Sequence, residues 1–278
     1  MKRTFLILLA AIMLPLAMNA KNEKKEGIMV MSYNIRNSDA EDGTNSWQYR
    51  YPATALMIDD QKPDVIGLQE VLYEQFQYLK TAFDKSYSLI GVGRDDAKKK
   101  GEMMAIMYNK NTTTVAKWGT FWLSDTPDTP SLGWDGACTR CATWAVMKDK
   151  TSGKKYLVVN THIDHQGAEA QKNGVKLIVS KMAELNTEGL PVIITGDFNL
   201  EASSPALMPL QNAMNDARST AVVTDDHFSY NGWGKAQGTI DYIWYKDLSC
   251  TKFETITKPY YERTFISDHF PVKATFIF

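Results

Sequence analysis

The sequence predicts an α/β (α+β) chain folded as a four-layer sandwich, two packed mixed β-sheets flanked by helices. Three observations lead there. Short continuous apolar runs rich in β-branched and aromatic residues recur, as strands buried on both faces require. Helical spacings separate some of the runs. The middle of the chain holds strand patterns with no room for crossover helices. The runs are Ile28 to Tyr33, Val65 to Leu68, Tyr156 to Val159, Val192 to Ile194, Tyr242 to Tyr245 and Val272 to Phe278. Trp47, Tyr51, Ala55 and Ile58 fall at helical spacing before the run at Val65, and Val175, Ile178, Val179, Met182 and Leu185 do so before Val192. Met104 to Tyr108, Thr113 to Trp122 and Thr143 to Lys148 read as hairpin-connected strands, so parallel and antiparallel pairing are mixed. Strands with two apolar faces need cover on both, which stacked sheets with outer helices supply. Ser124 to Trp134 is the longest loop, and long ordered loops often flank a binding site.

Composition narrows the function classes. With 44% hydrophobic residues in 278, general disorder is excluded. Lys and Arg number 31 against 32 Asp and Glu, which leaves no basic excess for gripping nucleic acid without regard to sequence. No linker or repeat interrupts Gly27 to Phe278, so residues 27–278 read as one domain. The first twenty residues differ: Lys2 and Arg3 precede an apolar stretch from Phe5 to Ala17, and polar residues follow Ala20. Residues 1–20 therefore read as a signal peptide. The stretch is short for a bilayer span, which argues against stable membrane insertion and for a periplasmic or extracellular, mildly acidic product. A monomer with no obligate protein partner is expected. Of the three cysteines, Cys138 and Cys141 suit either a small disulfide or simple packing, and Cys250 reads as buried and unpaired.

Chemistry gathers where the apolar runs end. Asn34, Glu70, His162 and Asp197 with Asn199 follow strands, while Asp241 and Asp268-His269 precede them. Antiparallel neighbours bring starts and ends to one rim. Carboxylates clustered there are costly without a partner for their charge. A hard divalent cation is the simplest partner, because Asp, Glu and Asn offer oxygen ligands whereas zinc favours His and Cys. Singly, each of these residues is as well explained as a turn residue or helix cap.

Six segments in order, Ser32-Tyr33-Asn34-Ile35-Arg36, Leu68-Gln69-Glu70-Val71, Asn160-Thr161-His162, Gly196-Asp197-Phe198-Asn199, Ile240-Asp241-Tyr242 and Ser267-Asp268-His269-Phe270-Pro271-Val272, resemble the motifs of the endonuclease/exonuclease/phosphatase superfamily. Phe121-Trp122-Leu123-Ser124, Arg140 and Asn160 to His165 further resemble its carbon-catabolite-repressor deadenylase and nocturnin branch. The resemblance implies a DNase I-like fold and a Mg2+-dependent hydrolase of phosphodiesters or phosphomonoesters, with Mn2+ the alternative ion. By the same resemblance Glu70, Asn34 and Asp268 sit at the metal, and Asp197 orients or deprotonates the attacking water. Asn199 holds phosphate oxygens, His269 contacts the scissile phosphate, Asp241 fixes the His269 tautomer, and His162 stabilises developing charge. Arg140 matches a phosphate-binding arginine and Glu102 a carboxylate near the second histidine. Tyr108 is either a phosphate contact or core, Arg50 either a phosphate contact or a solvated helix charge, and Asp164 and His165 support the site. Trp118, Trp122, Trp134 and Trp233 suit either stacking on a base or sugar or core burial. Candidate substrates are a nucleotide or nucleic acid, a phospholipid headgroup diester such as sphingomyelin, and a sugar or inositol phosphate. The rival class is a non-catalytic ligand-binding module on the same fold. A metallo-β-lactamase reading of His162-Ile163-Asp164-His165 fails because Asn160 stands where that motif needs a histidine.

Overall fold

The computed structural model describes residues 27–278; the expected signal segment lies outside them. In chain order they form β1 (Ile28–Asn34), α1 (Trp47–Gln61), β2 (Val65–Val71), α2 (Tyr73–Ala82), β3 (Tyr87–Ile90), β4 (Met103–Asn109), β5 (Thr113–Trp122) and β6 (Cys141–Asp149). There follow β7 (Lys155–His162), α3 (Ala168–Leu185), β8 (Val192–Asp197), α4 (Met208–Ala213), β9 (Asn215–Asp216), α5 (Ala217–Thr220), β10 (Asp241–Lys246), β11 (Ser249–Thr255) and β12 (Val272–Ile277). Two six-stranded sheets result, ordered β11-β12-β1-β2-β4-β3 and β5-β6-β7-β8-β10-β9. Each has one parallel pair, β1 with β2 and β7 with β8, and antiparallel pairing elsewhere. A helix crosses between the members of each parallel pair, α1 in one sheet and α3 in the other, so those strands run the same way and end on the same side.

Three apolar layers explain the two-sided strands. Ile28, Val30, Val65, Val158, Ile193, Ile243 and Phe276 pack between the sheets. Met31, Leu68, Ala53, Met57 and Leu79 join the first sheet to α1 and α2. Val159, Ile194, Val175, Ile178 and Met182 join the second to α3. α1 stops at Lys62, which adopts a left-handed φ of 47° just before Pro63, a residue that disfavours helix on its N-terminal side. The expected four-layer sandwich is thus present. One pairing differs from the sequence reading: β4 belongs to the first sheet, between β2 and β3, so of the three strands expected to be joined as hairpins only β5 and β6 pair with each other. The apolar residues of β4 serve the first sheet and the inter-sheet core, which local pattern does not distinguish from a hairpin with β5. The three cysteines are free thiols; Cys141 packs with Met104 and Trp122, and Cys250 lies in the inter-sheet layer.

A polar seam crosses that apolar interior. Gln69 Nε2 donates to Ser32 Oγ (3.2 Å) and to Asn160 Oδ1 (2.7 Å), and Thr195 Oγ1 also donates to Asn160 Oδ1 (3.1 Å). Asn160 Nδ2 returns two bonds, to the Leu68 and Ala105 carbonyls (2.8 and 2.9 Å). The Asn160 side chain of β7 is thereby bonded to β2 and β4, with Ser32 of β1 and Thr195 of β8 tied into the same seam from either side. Gly67 makes the approach feasible, because a Cβ there would fall 1.9 Å from Thr195 Oγ1 and 2.5 Å from Asn160 Oδ1. Replacing Gly67 by alanine should therefore destabilise the fold by about 1–3 kcal/mol in chemical denaturation, the usual cost of overfilling a packed interior. Wild-type stability in that variant would show that the sheets do not meet this closely.

Candidate active site

Strand register builds one wall of the site. On β7, β8 and β10, His162 pairs with Asp197 and Asp197 with Asp241, which sets the three across adjacent strands in one row. The opposite wall comes from β1 and β2. A break in register between Leu68 and Val71 coincides with Glu70, whose φ is +61°, a left-handed value uncommon outside glycine. The bulge re-aims the Glu70 carboxylate at the strand ends. Arg36 and Asn199 share the left-handed conformation, at 57° and 52°. These walls meet in a cleft of about 600 Å3 lined by Glu70, His162, Asp197, Asn199, Asp268 and His269 among others.

Asn34 joins the sheets at the base of the cleft. Its amide nitrogen donates to Glu70 Oε1 at 2.9 Å and to Asp197 Oδ2 at 3.0 Å, while its oxygen accepts from the Arg36 N–H at 2.9 Å. Fully buried, Asn34 presents its nitrogen to the two carboxylates and bridges them. Glu70 Oε2 takes two further bonds, from the Asn37 backbone and side chain at 3.0 and 2.9 Å. Burial pushes the Glu70 carboxyl up, but the Asn34 and Asn37 bonds outweigh it and hold the group below its ordinary range. Burial raises Asp268, and neighbouring Glu70 adds to the rise.

Asp197 Oδ2 lies 3.3 Å from His162 Nε2 and 3.7 Å from His269 Nε2, so two imidazoles converge on one carboxylate oxygen. Burial, with Asp241 close by, moves the Asp197 carboxyl upward even though His269 opposes the shift. The histidines are tuned in opposite directions. Burial works against charge on His269, yet Asp241, 2.8 Å from its Nδ1, together with Asp197 raises it to about 10. Burial holds His162 well below its ordinary range, and Arg140 and Arg94 reinforce this. Asn199 Nδ2 lies 2.9 Å from His162 Nε2 and donates to the Ile163 carbonyl at 3.0 Å. In this arrangement Asn199 fixes a neutral His162, and its amide nitrogen is shared between that imidazole and the Ile163 carbonyl.

A hard divalent ion fits the donor set. Glu70 and Asp268 face the cleft with oxygen donors only, and Arg36 Nη1 stands 3.7 Å from Asp268. Asp197, Asp241 and His269 also bring potential ligand atoms within 4.8 Å of one another. Of the two groupings the Glu70 and Asp268 side suits the ion better, because the Asp241–His269 pair is spent on its own hydrogen bond.

Arg140 and Glu102 line the same cleft, but Glu102 pairs with Arg94 and lies 3.9 Å from Arg140 Nη1, with no bond to His162. His162 Nδ1 has no hydrogen-bond partner among the described residues. Asp164 is a structural acceptor for the Ala137, Gln166 and Gly167 N–H groups, and His165 Nδ1 lies 3.0 Å from Arg140 Nη2. Tyr108 takes the core alternative: it pairs with Val65 at the start of β2, at the opposite end of the sheet from Glu70, and packs against the inter-sheet layer. Arg50 is neither a phosphate contact nor solvated: it is fully buried and donates to the Ile35, Asn45 and Ile266 carbonyls, tying together the loops beneath the cleft. None of the four tryptophans lines the cleft, and neither does any residue of the 124–134 loop. Sequence reasoning missed Arg36, Asn37, Arg94 and Tyr230. Arg36 stood inside a quoted motif; Arg94 carried no periodic signal.

The raised His269 value has a stability consequence. Since the folded group binds its proton more tightly than an ordinary histidine near pH 6.5, its pairing stabilises the fold fully below that pH and is lost as pH rises through about 10. Asp241→Asn should lower the His269 pKa by about one unit or more in an NMR titration of the metal-free protein, because the adjacent charge disappears. An unchanged titration would remove Asp241 from its supporting role.

The chain matches the endonuclease/exonuclease/phosphatase family over residues 31–269. A solved family protein from Bacteroides vulgatus is 36% identical, with a TM-score of 0.84 over 91% of this chain and 99% of that one. The mannosyl-6-phosphatase of Bacteroides thetaiotaomicron is 33% identical, with a TM-score of 0.85 over 90% of this chain and all of that one. The human nocturnin catalytic domain, 18% identical, shares the fold, with a TM-score of 0.71 over 91% and 94% of the two chains. An uncharacterized protein of Acanthamoeba polyphaga mimivirus is 29% identical over 167 residues, 56% of this chain and 60% of the viral one, so less than two thirds of that relative is matched. On the breadth of these matches, and with two mixed sheets and outer helices of the DNase I-like kind, the chain belongs to the endonuclease/exonuclease/phosphatase family.

Proposed function

We propose that this protein is a divalent-metal-dependent hydrolase of phosphate esters, exported to the periplasm or beyond, that acts on a small phosphorylated substrate. The observation that carries the reading is the meeting, in one cleft, of Glu70 from β2 and Asp268 and His269 from the segment before β12 with His162 and Asp197 of the second sheet, whose Asp241 pairs with His269. Hydrolysis needs a positioned water, neutralisation of charge on the phosphoryl oxygens and help for the leaving oxygen. Asp197, shifted upward by burial, is suited to orient a water and accept its proton. His269, kept protonated by Asp241, binds a phosphoryl oxygen as its charge grows. Neutral His162, held by Asn199, shapes the same wall. A Mg2+ or Mn2+ ion at Glu70 and Asp268 would supply Lewis-acid polarisation of the phosphate.

The cleft favours a small phosphate ester over nucleic acid or a lipid. Its lining is largely charged or polar, and Tyr230 is the single aromatic side chain in it apart from the histidines. That leaves little surface for stacking a base or holding an acyl chain. Similarity to a mannosyl-6-phosphatase points the same way. What favours catalysis over a binding module is a carboxylate, Asp197, placed as a proton acceptor among the anion-binding groups, 3.7 Å from His269 Nε2.

The test incubates purified protein with p-nitrophenyl phosphate, bis-p-nitrophenyl phosphate, RNA and sphingomyelin, with Mg2+ or with a chelator. Turnover of the small esters that the chelator removes is expected. Asp197→Ala should abolish it, and His269→Ala should lower kcat by about 10²-fold or more, the scale for losing one charge-stabilising group. Binding without turnover would assign the protein to the non-catalytic class.

A further inference from the structure

Resting on the phosphoesterase reading, we infer that Arg94, Glu102 and Arg140 form a clamp for the terminal oxygens of a phosphomonoester, and that Arg94 sets a preference for monoesters over diesters. The cleft has two poles. Glu70, Asp197 and Asp268 make one acidic, and Arg94 and Arg140, which line the same cleft close enough to act on His162, make the other basic. Both guanidiniums are deeply placed, with side chains 13% and 7% exposed.

Their hydrogen-bonding capacity is largely unspent. Arg94 donates to Glu102, and Arg140 has His165 Nδ1 at 3.0 Å. The other charge contacts are long: 3.8 Å from Arg94 Nε to Asp95, 3.7 Å from Arg140 Nε to Asp164 and 3.9 Å from Arg140 Nη1 to Glu102. Asp164 already accepts from the backbone, and the Nε atoms of both arginines are buried without a hydrogen-bond partner. Guanidiniums carry five donors each, and buried donors left unpaired are costly. A dianion with several free oxygens in the cleft that both residues line can take up their remaining Nη donors in the fork geometry that arginine favours.

The mount is rigid. Arg94 N–H donates to the Glu102 carbonyl at 3.1 Å, the Arg94 carbonyl accepts from Trp122 Nε1 at 2.6 Å, and Asp96 Oδ1 caps the N–H groups of Lys98, Lys99 and Lys100 within the same loop. Glu102 thus holds Arg94 in place and leaves Arg140 free to donate. An oxygen gripped at this depth has no open side for a second ester group. A diester loses that grip, whereas a monoester keeps it.

The test measures kcat/KM for p-nitrophenyl phosphate and bis-p-nitrophenyl phosphate with Mg2+, and titrates inorganic phosphate against dimethyl phosphate calorimetrically, in wild type, Arg94→Met, Arg94→Lys and Arg140→Met. Wild type should prefer the monoester and inorganic phosphate by about tenfold or more, the worth of a charge-assisted hydrogen bond. Arg94→Met should cut monoester kcat/KM by about 10–100-fold and diester kcat/KM by much less, and Arg94→Lys should recover part of the loss. Phosphate affinity should fall in parallel. Phosphate binding unchanged in both methionine variants, or a monoester to diester ratio equal to wild type, overturns the clamp whether or not the enzyme turns over. If neither ester is hydrolysed, the phosphoesterase reading fails while the phosphate titrations still decide the clamp.

Discussion

The close approach of the two sheets around Gly67 is the constraint from which the rest of the molecule follows. Asn160 reaches across from β7 to accept from Gln69 and to donate to carbonyls of β2 and β4, and no larger residue than glycine fits opposite it. A buried polar group tolerates few alternative placements, since each lost bond leaves a desolvated donor or acceptor. The seam therefore fixes how far β7 and β8 slide against β1 and β2. Sliding would separate Glu70 from Asp197, which Asn34 now joins at hydrogen-bond distance to both.

The rim that results holds more charge than a stability-optimised fold would choose. Asp197, Asp241, Asp268 and Glu70 are all nearly buried, with His269 paired to Asp241 and Arg36 3.7 Å from Asp268 offsetting part of the charge. Strain adds to this, since Arg36, Glu70 and Asn199 adopt left-handed backbone conformations beside the cleft. Arg50 carries part of the support from beneath. Its guanidinium gathers carbonyls of the loops after β1 and before β12 while its face rests 5.1 Å from the Trp47 ring centre and 5.8 Å from that of Trp233.

Much of the architecture was legible in the sequence because its signals are periodic. The runs at Ile28, Val65, Tyr156, Val192, Tyr242 and Val272 became β1, β2, β7, β8, β10 and β12, and the helical spacings became α1 and α3. The placement of β4 was not legible, since sheet membership depends on distant partners. At the site, polar residues at the ends of apolar runs were readable as a group, and the structure brings Glu70, His162, Asp197, Asn199, Asp268 and His269 to one cleft. Side-chain direction was not readable. Nothing local distinguishes a surface arginine from Arg50 under the floor, or shows Tyr108 at the far end of its strand. Arg94 enters the cleft only because a tight loop folds it back onto Glu102.

The most direct test of the shared centre is a crystal structure of the protein soaked with Mn2+ and inorganic phosphate, read from the anomalous signal of the ion. One anomalous peak is predicted in contact with Glu70 and with a phosphate oxygen, the phosphate lying between the ion and His269. An ion held elsewhere, or a phosphate found only outside this cleft, would contradict a single metal-assisted centre formed by both sheets.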